Sequence, residues 1–298
     1  MNQYQFVPFD RLQEMTEDCF GISISDGVLA KNNQVCYEQL QQTEQEIKER
    51  IAQSDVMHND ETGMRCEGKT QWIHSSSTQE FTHYSIQQKR GKPGMDAIGI
   101  LNHYKGISVH DRWASYDKYN CIHALCNAHL LRELKAVHQD TGRQWAEGMI
   151  SLLVSANKLK SENKLDTKAI RHIEKEFRKV TRQGIEEEPV QLKPKVKKRG
   201  RTAKPKSLNL LEVFINRREE IFRFLHNKDV PFDNNLAERD LRMVKLKQKI
   251  SGCFRTLHGA EVFCRIRSYI STCRKQGRSV LDAIEKALAN EPLILCPT

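Results

Sequence analysis

Val56-Met57-His58-Asn59-Asp60, an apolar run that ends in an acid, is the segment from which the rest of the chain is best read. Two more short segments follow, Gln71-Trp72-Ile73-His74-Ser75 and Thr82-His83-Tyr84-Ser85-Ile86, both of strand length and rich in aromatic and β-branched residues. Gly63, Gly68 and the polar Ser75-Ser76-Ser77-Thr78 supply turn signals, so the three segments predict an antiparallel meander. A helix is expected around Met95 to Leu101. Gly106-Ile107-Ser108-Val109-His110-Asp111 then reads as another strand ending in an acid. Cys121 to Leu125 gives a further strand, and Asn127 to His138 a helix.

Three strands, helix, strand, strand, helix is the order of the ribonuclease-H-like fold. The expected class is therefore α/β, a mixed sheet with helices on its faces, a helical insertion, and helical N- and C-terminal segments. Working outward, residues 1–55 are polar and helical. Ser25 or Asp26 is placed to cap a helix, and 37–52 carries a thin apolar stripe of Leu40, Ile47 and Ile51. Trp145, Met149, Leu152 and Leu153, then Ile170, Ile173 and Phe177, recur at helical spacing through 143–185. The stretch 191–206 holds eight basic residues and no acid, with Pro194, Gly200 and Pro205 against a helix; it reads as an exposed basic loop. A helix is expected from Leu208 to Leu225. Asp233-Asn234-Asn235 then turns into a further helix, capped by Asn234 or Asn235, with Glu238 near its first turn. The last helical segment runs from Val262 to Leu288. These features divide the chain into 1–55, a first part of the core at 56–140, an insertion at 141–226, and a final helical part at 227–298.

The bulk properties narrow the function. Of 298 residues, 38% are hydrophobic and 29% charged, and the net charge of +10 favours a polyanionic partner, nucleic acid first. No run of about 18 apolar residues occurs, which excludes a membrane-spanning helix. The first 20 residues carry four acids and no apolar core of a secretory signal, so a cytoplasmic location is expected. Nine scattered cysteines fit reduced, buried apolar residues better than a disulfide framework.

Chemistry is suggested by three acids. If the strands ending in Asp60 and Asp111 are neighbours, both carboxylates emerge at one edge of the sheet, and Glu238 could join them from its helix. Three converging carboxylates suit hard divalent cations: two Mg²⁺, with Mn²⁺ as substitute, placed about 3.5–4 Å apart to stabilise both oxygens of an in-line phosphoryl displacement. Singly, each acid has a plainer reading: Asp60 a turn residue, Asp111 a helix cap, Glu238 the acid of a first helical turn. Glu238, Arg242, Lys245 and Lys249 share a helix face beside an apolar stripe of Ala237, Leu241 and Val244. With Arg239 they form a candidate DNA-binding row, joined by Lys197, Lys198, Arg199 and Arg201 of the basic loop. Cys121, His123, Cys126 and His129 have zinc-binding side chains at a spacing unlike a common finger. His129, Arg132 and Asn235 are candidate auxiliary residues.

Asn59-Asp60-Glu61-Thr62-Gly63 resembles the "DETG" signature of insertion-sequence-66 type bacterial transposases. Val109-His110-Asp111-Arg112-Trp113 and the segment His123 to Leu134 resemble that family too. So does the longest match, Val230-Pro231-Phe232-Asp233-Asn234-Asn235-Leu236-Ala237-Glu238-Arg239-Asp240-Leu241-Arg242, continuing through Ser251-Gly252-Cys253-Phe254-Arg255. The resemblance implies a DD(E) transposase with Asp60, Asp111 and Glu238 as catalytic and metal-binding acids, which cleaves and joins DNA strands without a covalent protein intermediate. It implies element ends and target DNA as partners, a homo-oligomer on DNA and accessory proteins of the same element. Family members carry an N-terminal coiled coil and a cysteine-rich zinc module. No paired C-x-x-C precedes Asp60, so this chain is expected to lack that region. Two alternatives stay open: a truncated, inactive DNA-binding remnant, and a ribonuclease-H-like nuclease that cuts without joining.

Overall fold

The computed structural model describes residues 1–188 and 204–293. In chain order its elements are α1 (Asn2–Gln5), α2 (Phe9–Phe20), α3 (Asp26–Gln39), α4 (Gln41–Ala52), β1 (Val56–Cys66), β2 (Lys69–Ser77), β3 (Thr82–Gln87), α5 (Lys92–Ile98) and β4 (Ile107–His110). A 3-10 turn (Tyr116–Lys118) and β5 (Ile122–Leu125) follow, then α6 (Asn127–Thr141), α7 (Gln144–Ser161), α8 (Thr167–Glu187), α9 (Lys206–Asn216), α10 (Arg218–Ile221), α11 (Arg223–His226), α12 (Asn235–Ser251), α13 (Leu257–Lys275) and α14 (Val280–Leu288). The described residues fall into two units, one built from 1–123 with 235 onward, the other from 124–234.

The sheet order is β3-β2-β1-β4-β5. β1, β2 and β3 form an antiparallel meander, and β4 lies parallel to β1. This is the expected α/β, ribonuclease-H-like arrangement with helical flanks. Register is locked by Asn59, buried in β1, whose side chain donates to Ser108 Oγ on β4 (2.9 Å) and accepts from Ser76 Oγ on β2 (2.9 Å). A one-residue slip would lose both bonds and turn Asp60 to the other face.

β1 corrects the reading of its own segment. It runs on to Cys66, so Asp60 lies within the strand, and Gly63 is a strand residue paired with Trp72. A Cβ on Gly63 would lie 3.8 Å from the nearest indole atom. That is an ordinary contact, and Gly63 sits in the ladder as a strand residue and is no turn signal. The turn itself is Glu67-Gly68, both at positive φ.

In the first unit α13 closes the sheet edge. Backbone N–H groups of Thr82 and Tyr84 on β3 donate to Thr272 Oγ1 (3.1 Å) and Ser268 Oγ (2.8 Å) of that helix. An edge strand otherwise open to pairing is covered. Met64, Ile73, Tyr84 and Ile86 pack with Leu241 and Val244 of α12 and Phe263 of α13 in one core. At the N-terminal end Ser25 caps α3, accepting from the Val28 N–H. The helix expected over 37–52 breaks at the fully buried Leu40, dividing α3 from α4.

In the second unit Trp145 of α7 is fully buried, and its Nε1 donates to Glu188 Oε1 (3.0 Å) just after α8. Ser207 of α9 donates to the other oxygen (2.9 Å). The helix expected over Leu208 to Leu225 is three short ones. Phe222 and Phe224 are both buried, yet they would lie about 160° apart on a straight helix, so the chain breaks to bury both. Of the described cysteines, Cys36, Cys66, Cys126, Cys264 and Cys273 are buried and Cys19 and Cys253 exposed, and none of these forms a disulfide.

Candidate active site

Parallel pairing of β1 with β4 matches His58 to Val109, so two residues further along both chains Asp60 stands level with Asp111. Each acid is fixed locally. Asp60 Oδ1 accepts from the Glu61 N–H (2.8 Å), and Asp111 Oδ1 accepts from the Trp113 N–H (3.0 Å). His110, fully buried before Asp111, lies with Nδ1 2.6 Å from the Asp111 carbonyl oxygen and Nε2 3.0 Å from His123 Nδ1.

Glu238 lies in the first turn of α12, and Ala237, Leu241 and Val244 of that helix are buried, as their spacing predicts. The helix packs on β1 and β2, the face that Asp60 shares with Met64 by strand alternation. Its placement is fixed by a residue the sequence reading passed over. Asp240 Oδ2 accepts from Ser77 Oγ (2.7 Å) on β2, Thr82 Oγ1 (3.0 Å) on β3 and Lys275 Nζ (2.8 Å) on α13. Tyr84 OH donates to the Asp240 carbonyl (3.0 Å), and Lys245 Nζ donates to the Gly63 carbonyl (3.3 Å). After the helix, Phe254 bridges to the end of β1, its N–H donating to the Arg65 carbonyl (2.9 Å) and its carbonyl accepting from Glu67 N–H (3.2 Å). That bridge is the structural content of the Ser251–Arg255 motif.

The charges of Asp111 and Glu238 both reach Asp60. Burial first, and then the charges of Glu61, Asp111 and Glu238, together push the Asp60 carboxyl up to about 7 against the lowering effect of the Glu61 N–H. Glu61 is also raised, chiefly by burial, although Tyr116 OH (2.6 Å) and Arg90 Nε (2.9 Å) both donate to it. The set is all oxygen, crowded and negative, which is the donor chemistry of a hard divalent cation.

The other candidates divide. Arg239, Arg242, Lys245 and Lys249 are exposed along α12. Asn235 begins that helix. His129 and Arg132 lie on α6 in the second unit, with Cys126 just before it, whereas Cys121 and His123 belong to the first unit. His123 Nε2 lies 3.2 Å from the Tyr119 carbonyl, so both its ring nitrogens have neighbours. Lys197, Lys198, Arg199 and Arg201 lie outside the described residues.

No curated protein matches the chain. A family model described as transposase IS66 family matches residues 2–262, a span that includes all three acids, the strands that carry two of them and the whole of α12. Over that span the chain is a member of the IS66 family of transposases.

Proposed function

We propose that this transposase cuts and joins DNA strands with two divalent cations, Mg²⁺ or in its place Mn²⁺, held by Asp60, Asp111 and Glu238. The observation that carries the reading is the level placement of Asp60 and Asp111 on paired strands, with the Glu238 charge acting on Asp60. When bound, the cations supply Lewis-acid stabilisation of the attacking and leaving oxygens. The chain does the rest. Asp60 and Asp111 are held by backbone N–H groups, and Glu238 by the fastening of its helix through Asp240. Arg239, Arg242, Lys245 and Lys249 continue from Glu238 as an exposed cationic row that grips strand phosphates. A 3′ hydroxyl freed by hydrolysis then attacks a target phosphodiester by the same in-line geometry, forming the joining P–O bond as the target strand's own 3′ oxygen leaves, so no covalent protein intermediate is needed. The working form is a homo-oligomer on element ends and target, with accessory proteins of the same element.

Alanine at Asp60, Asp111 or Glu238 should abolish Mg²⁺-dependent nicking and leave DNA binding in a mobility-shift assay. Normal nicking by any one variant ends the triad. A strand-transfer assay with pre-cut 3′ ends separates transposition from hydrolysis alone, since a nuclease would cut and fail to join. Binding without nicking by the unaltered chain would mark an inactive remnant.

A further inference from the structure

Glu61, buried beside Asp60, is met by Arg90 from the segment after β3. Arg90 Nε lies 2.9 Å and Nη2 2.8 Å from the same oxygen, Glu61 Oε1. The guanidinium carbon stands 4.1 Å from the ring centroid of Trp113 and 4.9 Å from that of Trp72. Arg90 stays 38% exposed while the Glu61 side chain is 1% exposed, and both indoles are half-buried. Four separate stretches of chain thus build one cation–π stack around Arg90. Trp72 lies beside the bare Gly63, and Trp113 beside the bare Gly91, where a Cβ would come within 3.9 Å of its ring. The stack is tied to both strand acids, since Glu61 follows Asp60 and the Trp113 N–H bonds Asp111 Oδ1.

We infer that this stack is a subsite for one unstacked nucleotide of a single DNA strand, its phosphate on the outer edge of Arg90 and its base on an indole face. The inference rests on the strand-cutting reading above and names the form of substrate that site takes. Three observations carry it. Glu61 occupies only the Nε–Nη2 edge, and the Nη1 edge has no partner among the described residues. Neutralising Glu61 needs one guanidinium; two partly exposed indoles around it are surplus to that task. Planar faces beside a cation are what stack any nucleobase without reading its sequence. Finally, Glu61 and Asp60 alternate across β1, so the stack lies off the opposite face from Glu238, apart from the acids proposed to hold the cations.

The test is binding and tryptophan emission with an oligothymidylate roughly 12 nucleotides long, against a duplex of equal length. The chain has three tryptophans, and Trp145 is fully buried in the second unit, so quenching reports Trp72 and Trp113. The single strand should quench emission and the duplex should not. Trp113→Leu and Trp72→Leu should each weaken single-strand affinity about tenfold by anisotropy and leave duplex affinity alone. Trp113→Phe, which still stacks, should keep most of the affinity. Unquenched emission on a bound single strand, or leucine variants that bind it as tightly as the parent, overturns the subsite while duplex binding preserves the transposase reading. Failure of the parent chain to bind either form overturns both.

Discussion

Asp60→Asn should make the cation-free protein more stable at pH 8, although it removes an acid proposed to hold metal. Burial and neighbouring charge raise the folded-state carboxyl from 3.8 to about 7. Below 3.8 the folded and unfolded chains are both protonated, and the group contributes no difference. As pH rises toward 7 the unfolded chain releases the proton while the folded chain keeps it, so stability falls. Above 7 both are ionised, and the folded state carries the full penalty of roughly 4 kcal/mol. Asparagine keeps the Oδ1 that accepts from the Glu61 N–H and drops the charge. Urea denaturation in EDTA should find the variant more stable by about 2–4 kcal/mol at pH 8, with the difference vanishing near pH 4. Millimolar Mg²⁺ should reverse the order at pH 8, because a cation that binds only the folded parent stabilises it by mass action. A variant equal to or weaker than the parent at pH 8 in EDTA would refute the reasoning, as would stability independent of pH between 4 and 7.

Asp240→Ala strands the largely buried Lys275, so it should cost roughly 3–5 kcal/mol in chemical denaturation. The cost should shrink at high pH, since burial already lowers the Lys275 pKa and the lone amine can shed its proton. Gly184→Ala would place a methyl 2.7 Å from Leu211 and 3.2 Å from Trp145, and overpacking of that kind should cost about 1–3 kcal/mol, read as a lower melting temperature. Arg242→Gln and Lys249→Gln should weaken DNA binding similarly across sequences, and each should flatten the log–log salt dependence by about 0.9 if it removes one phosphate contact.

The sheet was legible because its signal is local. Alternation over five residues, a β-branched strand and punctuating glycines set the element order, and the acids at Asp60 and Asp111 came with it. The extent of β1 was not legible, because Gly63 signals a turn until Trp72 is seen beside it. Helix breaks were lost for a similar reason: the burial of Phe222 and Phe224 is decided by tertiary neighbours, not by periodicity. Asp240 did leave a trace. It sits between Ala237 and Val244 at positions that belong to the buried stripe, and an acid there calls for partners. The Glu61–Trp72–Arg90–Trp113 stack left none, since its members lie on four segments whose meeting depends on the sheet register.

The same register explains how an acid so late in the chain can serve two early ones. Asp60, Asp111 and Glu238 all belong to the first unit, although residues 124–234 intervene in sequence. Closing an unstructured loop of that length would cost roughly 4 kcal/mol by the logarithmic law, and a self-folded insertion costs less. Against this stand the fasteners of α12 within the first unit. The Asp240 hub alone would cost roughly 3–5 kcal/mol to break, and burial of Leu241 and Val244 adds about 1.5–3 kcal/mol for each side chain. The helix is therefore held by more than the loop entropy opposes. Glu238 keeps its place because the sheet and α13 grip the far side of its helix, at Ser77, Thr82 and Lys275.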